Sequence, residues 1–203
     1  DVDGRASARR PGARTAVGSA GVLDDAADRT DALPPVDLGR YKSALRRLAS
    51  GVTVVTTRVE DMDHAMTATA FAPVSLRPPL VMVCVDRSAR IHTPLIESVA
   101  WGVSLLAATP EARAASTWLA TRGRPLEGQL DEIAVSRGVT GVALLRESVA
   151  RLECRTAGHH RAGDHTIVLG EVVAAEEGGP DTPPLVYHAG DYSTTTPWYR
   201  TEP

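Results

Sequence analysis

Histidine has the most chemistry to offer in this chain, and His159, His160 and His165 lie close together. A metal site would need further ligands at set spacings, and no H-E-x-x-H or C-x-x-C pattern accompanies them. Cys84 and Cys154 each sit inside an apolar run and are not spaced as a ligand pair, so they read as buried thiols and no metal is expected. His159 and His160 are adjacent and would face opposite sides of a strand, so they read as solvent-facing loop residues. Gly163-Asp164-His165 is different in kind. The glycine lets the backbone turn, and the histidine is then delivered where a strand begins. A second stretch with room for chemistry is Met66–Pro79, which holds the only Phe of the chain and ends on Pro78-Pro79. On a strand Thr67, Thr69 and Phe71 would share one face, with Ala68 and Ala70 on the other. Small side chains there allow something flat to approach the backbone closely, although a Thr-rich edge strand has the same pattern.

Several chemistries are excluded by what is missing. There is no G-x-G-x-x-G, no G-x-x-x-x-G-K-[ST] and no G-x-S-x-G, so a dinucleotide fold, a phosphate loop and a hydrolase elbow lack support. A net charge of -3 without a basic block argues against nucleic acid. No apolar run is long enough to span a bilayer and no signal-peptide core is seen, so a cytoplasmic protein without a membrane partner is expected.

These residues need elements to position them. Residues 1–36 show no apolar period and read as a flexible tail. Residues 37–195 read as one domain, and 196–203 as a C-terminal tail. Asp37 is placed to cap a helix carrying Leu38, Tyr41, Ala44, Leu45 and Leu48 on one face, with Gly51 as its C′ residue. Val52–Thr57 is β-branched and reads as a strand, with Met66–Pro79 returning antiparallel after the turn at Glu60–Asp63. Leu80–Val85 is apolar throughout and is expected to be a central strand covered on both faces. A short helix near 93–99, a strand at Trp101–Leu106 and a helix over Glu111–Ala120 opened by Pro110 follow. Thr121–Val142 is Gly-rich and reads as a surface excursion. Ser148–Ala157 and Thr166–Ala174 then form a hairpin, with Gly158–His165 as its connecting loop. Many strands joined by short turns, without βαβ alternation, predict a mainly β fold with covering helices.

Taken in order, Tyr41–Thr57, Met66–Pro79, Leu80–Arg87, Leu152–Val173 and Leu185–Tyr192 resemble the flavin reductase family, the NAD(P)H-dependent reductases of two-component monooxygenases. That resemblance implies an antiparallel split β-barrel that forms a homodimer. It implies FAD or FMN lying against Thr67, Ala68, Thr69, Ala70 and Phe71 and against the turn at Asp86, Ser88 and Ala89. It gives Gly163-Asp164-His165 the role of bringing His165 to the nicotinamide of NADH or NADPH, as a positioning donor with no acid or base duty. It places Tyr192 near the pocket and gives Arg122 or Arg124 a phosphate contact. The family commonly runs T-A-S-S-F-x-S-V-S where this chain has T-A-T-A-F-A-P-V-S, so Ala70 and Pro73 each lack a hydroxyl. Weaker flavin retention would follow, suiting an enzyme that treats flavin as a substrate and passes reduced flavin to a monooxygenase or halogenase. A non-catalytic flavin-binding or sensor protein on the same barrel is the alternative, and an oxidase of the pyridoxamine phosphate type a third reading.

Overall fold

The computed structural model describes residues 34–179 and 182–196. Most of the expected N-terminal and C-terminal tails therefore lies outside the described residues. The chain divides into two compact units, Asp1–Tyr41 and Lys42–Pro203. In the first, Asp37 caps the helix start as expected. Its Oδ1 accepts the Arg40 N–H at 2.9 Å and its carbonyl accepts the Tyr41 N–H at 3.0 Å.

Helix α1 (Leu38–Leu45) is shorter than its sequence pattern suggests. The Arg47 and Leu48 amides drop back to the carbonyls of Ala44 and Leu45, tightening and ending the helix, while the Arg46 carbonyl takes the Ala189 N–H. Gly51 is thus no helix cap. It lies in β1 (Ser50–Gly51), paired with Val186 of β11 (Leu185–His188).

The main sheet has the order β3-β2-β6-β9-β10-β5-β4 and is antiparallel at each pairing. Its strands are β2 (Thr53–Val59), β3 (Met62–Ala68), β4 (Phe71–Leu76), β5 (Pro79–Asp86), β6 (Ala100–Leu106), β9 (Ser148–Ala162) and β10 (His165–Glu177). Helices α2 (His92–Glu97) and α3 (Pro110–Ala120) cover it. A small sheet joins β1, β11 and β12 (Asp191–Thr194), and β7 (Val135–Arg137) pairs with β8 (Ala143–Leu145). The mainly β, antiparallel expectation holds. Among the described residues the seven strands stay open, from β3 at one edge to β4 at the other, without a closing pair. No helix among the described residues is long and apolar enough to cross a membrane.

Three local expectations change. Met66–Pro79 is two strands, because the chain bends at Thr69 and Ala70 between β3 and β4. Pro73 is tolerated because β4 is an edge strand with one row of backbone groups unpaired. Strand β5 is second from the edge rather than central. Val81, Val83 and Val85 are buried on one face, whereas Leu80, Met82 and Cys84 are only half-buried on the other. The histidine-rich loop is strand as well. β9 runs on through Gly158, His159 and His160 to Ala162, leaving only Gly163 and Asp164 as a two-residue turn. Gly163 has φ +62°, the left-handed value required at the first central position of a type II′ hairpin.

Two apolar cores flank the sheet. One packs Val54, Leu106 and Leu145 with Leu119 of α3, and the other packs Val55, Val83, Trp101 and Val168 with Leu95 of α2. Trp101 is fully buried, and the absence of a side chain at Gly170 makes room for its ring beside Cys154.

Candidate functional site

The turn that follows β5 is built by its own side chains. The Asp86 carboxylate accepts the Ser88 N–H at 2.7 Å and the Ser88 hydroxyl at 2.8 Å, and its carbonyl takes the Ala89 N–H at 2.9 Å. Those two Ser88 donors, with His165 and Arg122 nearby, hold the carboxyl below the usual Asp range. Asp86 is therefore spent on shaping the turn. The Arg87 N–H donates to the Asp164 carbonyl at 3.0 Å, which ties this turn to the β9–β10 hairpin.

That tie positions His165. It pairs directly opposite Asp86 across β10 and β5, so both share the half-buried face of the sheet. Its Nδ1 lies 2.7 Å from Asp164 Oδ1. A carboxylate only accepts, so Nδ1 carries a proton in this contact and Nε2 is the ring nitrogen left unengaged. The same contact lowers the Asp164 pKa. On the opposite face His92 Nε2 meets the Thr166 hydroxyl at 2.8 Å. Burial, with Arg87 adding, lowers the His92 pKa and favours a neutral ring there. Sequence reading passes over His92, because a lone histidine at a helix start carries no motif.

A cleft of about 370 Å³ opens between the outer edge of β3, this turn and the end of α3. Thr67, Asp86, Ser88, Ala89, Arg122 and Arg124 line it, so the fold gathers six of the residues singled out in the sequence. Met66, Arg90 and Ile91 line it too, without having been singled out. β3 ends the sheet on this side, and its outward carbonyls at Asp63 and Ala65 are taken by Gln129 and Arg124. Outward groups recur every second residue, so the backbone N–H and C=O of Thr67 also point from the edge into the cleft. The Thr67 hydroxyl is not available there, since it donates to the Ser116 carbonyl at 2.7 Å and holds α3.

The two candidate arginines separate clearly. Arg124 is half-buried and donates to Thr121 O at 2.9 Å, Ala65 O at 2.5 Å and Gln129 Oε1 at 3.2 Å. Arg122 is exposed, lines the cleft and has no hydrogen bond or ion pair among the described residues. Chemically, the cleft offers a free backbone donor and acceptor on one wall and an exposed cation on another.

The remaining residues lie elsewhere. Ala68 is buried and Phe71 half-buried against the α2-side core, while Thr69 and Ala70 are exposed at the bend. Gly163, Asp164 and His165 sit beside the Asp86 turn but do not line the cleft. Tyr192 lies on the other flank of α3, in a groove of about 840 Å³, with its hydroxyl 2.9 Å from Ser116 Oγ. Among the described residues no group of His, Cys, Asp and Glu could hold a metal ion.

Comparison with known proteins gives a consistent result. A family model described as the flavin reductase like domain matches residues 45–196. The chain is 38% identical over 167 residues to an NADH:riboflavin 5′-phosphate oxidoreductase of Streptomyces pristinaespiralis, covering 82% of this chain and 93% of that one. It is 41% identical over 152 residues to the reductase component of 4-hydroxyphenylacetate 3-monooxygenase from Thermus thermophilus, covering 75% and 93%. Among solved structures, the flavin reductase component of a bacterial two-component tryptophan halogenase superposes with a TM-score of 0.72 at 38% identity, covering 78% of this chain and 98% of that one.

Proposed function

The chain belongs to the flavin reductase family, and on that premise we propose that it is an NAD(P)H:flavin oxidoreductase supplying reduced flavin to a partner monooxygenase or halogenase. The observation that carries this reading is the cleft itself. An open β-strand edge, a self-braced turn and a free arginine meet there, next to a histidine locked on a two-residue hairpin. A volume of about 370 Å³ lies within the ordinary range for a small-molecule site and suits a planar ring system.

FAD or FMN is a substrate here, and when bound it supplies the two-electron acceptor for a hydride from NADH or NADPH. The chain's own residues bind and orient. The Thr67 N–H and C=O offer an edge on which a ring carrying both a carbonyl and an N–H can pair. Arg122 reaches for the flavin phosphate, while Arg124 braces the segment that presents it. Ser88 and Ala89 supply the turn against which the ring lies, held in shape by Asp86. His165 is fixed by Asp164, so its Nε2 is presented as a positioning contact to a nicotinamide laid over the hairpin side of the cleft. A homodimer and a cytoplasmic setting, which the family resemblance implies, complete the proposal, and no helix among the described residues is long and apolar enough to cross a membrane.

Mixing the protein with NADH or NADPH and either flavin, and following the loss of nicotinamide absorbance, tests the activity. Flavin-dependent oxidation is expected, and none with any pairing would leave the non-catalytic flavin binder as the better reading. His165→Ala should raise KM for the nicotinamide nucleotide about tenfold, the loss of roughly one buried hydrogen bond, with the flavin KM little changed. Equal changes in both would show that His165 is misassigned.

A further inference from the structure

The turn that lines the flavin cleft and the hairpin that carries His165 are joined twice. One joint is main chain, from the Arg87 N–H to the Asp164 carbonyl at 3.0 Å. The other is a side-chain pair on the face opposite His165, where His92 Nε2 lies 2.8 Å from the Thr166 hydroxyl. Each member of that pair stands one short step from the site. Thr166 follows His165 in β10. His92 opens α2 just after the turn, and its N–H donates at 2.9 Å to the carbonyl of Ala89, a residue of the cleft wall. A closed circuit results, running from Ala89 through His92, Thr166, His165 and Asp164 back to Arg87 and Asp86.

Packing alone does not ask for this pair. Thr166 is 2% exposed and shares its face with Val168 on its own strand and with Val83 and Val85 on β5, so a valine of similar shape would fill its place. A hydroxyl buried there has to be partnered instead, and His92 supplies the partner. Toward the tip this face runs out of apolar cover, because β9 adds only His159 and Arg161, both exposed. Among the described residues no other side chain from outside the hairpin hydrogen-bonds to residues 158–168. Burial, with Arg87, His159 and Arg161 nearby, disfavours a charged His92 ring against the single opposing Asp86, so the joint is between two neutral groups.

We propose that His92 is a positioning residue for the nicotinamide nucleotide, setting through Thr166 where His165 stands against the cleft turn. The assignment rests on the function proposed above. Without the contact the hairpin tip is free to lean away from the turn, and His165 leans with it. The β3 edge and Arg122, assigned to flavin, take no part in the joint.

Amide hydrogen exchange over residues 159–168 of the free protein tests the joint, and steady-state kinetics test its purpose. His92→Leu and Thr166→Val should each speed exchange in that segment about fivefold, with β2 and β6 unchanged. Each should also raise KM for NADH or NADPH about fivefold, the loss of one net hydrogen bond, with kcat and the flavin KM within about twofold of wild type. The double variant should be no worse than either single one, because both remove the same contact. His92→Gln, whose amide reaches the same point, and Thr166→Ser should restore both readouts. Unchanged exchange, an unchanged nucleotide KM, equal rises in both KM values, or a Gln variant no better than Leu would each overturn the assignment. A wild-type chain that oxidises no nucleotide with either flavin defeats the function proposed above. A wild type that does so, with His92 variants indistinguishable from it, defeats only the role given to His92.

Discussion

Replacing Arg124 with alanine separates a strut from a ligand contact. Two of its hydrogen bonds cross between elements, to Ala65 O on β3 and to Gln129 Oε1, and a third closes locally on Thr121 O. A hydrogen bond from a charged donor is worth about 1.5–3 kcal/mol, and partial exposure places these two at the lower end, about 3 kcal/mol together. The truncation returns about 1 kcal/mol of arginine rotamer freedom, leaving a loss of about 2 kcal/mol. In a chain of this size each kcal/mol moves Tm by about 2–4 °C, so Arg124→Ala should melt roughly 4–8 °C lower. Arg122→Ala removes an exposed side chain and should leave Tm within about 1 °C, while weakening flavin binding about tenfold at low salt. High salt should narrow that difference, because the contact is exposed. Thermal melts and a flavin titration on both variants decide the matter. If Arg124→Ala keeps the wild-type Tm yet loses flavin, while Arg122→Ala binds flavin normally, the assignment is reversed and the reasoning from contacts fails.

Three further outcomes are expected. Gly170→Ala drives a methyl group into the Trp101 ring and Cys154, so urea unfolding should show a loss of about 1–3 kcal/mol; an unchanged midpoint would mean the core yields there. His64 is buried with Nδ1 unpartnered, and burial lowers its pKa. The unfolded chain then binds a proton near pH 6.5 that the folded chain refuses, so stability present above that pH falls as pH drops toward the folded value. Between pH 7.5 and 5.5 the wild type should lose more stability than His64→Asn, and equal losses would refute this. Burial, with Glu153 beside it, pushes the Cys154 thiol up to about 12. A thiol reagent should therefore modify Cys154 only after unfolding, and rapid labelling of two thiols in the native protein would contradict that packing.

Periodicity and β-branched runs made much of this fold legible, and the failures have physical causes. Val52–Thr57 and Trp101–Leu106 announce strands because branched side chains fit a pleated, buried surface. The tip of β9 hides, because His159 and His160 are exposed and a projecting hairpin needs no apolar alternation to keep pairing. The β11–β12 hairpin also hides. Ala189 and Gly190 take φ of +55° and +96°, but Ala-Gly is a far weaker turn signal than Asn-Gly. In the cleft, the Asp86–Ala89 turn was legible, but Arg122 and Arg124 are chemically identical on paper. Only the carbonyls around Arg124 tell them apart. Tyr192 shows the converse. The family resemblance places it near the pocket, while in the fold it lines a separate groove along α3 with its hydroxyl 2.9 Å from Ser116 Oγ.

The two-residue turn at Gly163 and Asp164 makes the reach of His165 an even-numbered quantity. Between the turn and the bulge at Leu169/Gly170, each strand of that hairpin sends alternate side chains to opposite faces, and the turn itself leaves no slack to absorb an odd residue. Lengthening β9 and β10 by one facing pair would carry the histidine outward but turn it to the wrong side of the sheet. Two facing pairs would restore its side at a displacement of about 7 Å, too far to meet the same ring. Between that bulge and the tip, the arm that carries His165 can therefore be neither trimmed nor extended in small steps. Adjustment of this site, by selection or by design, is left to the residues around the arm.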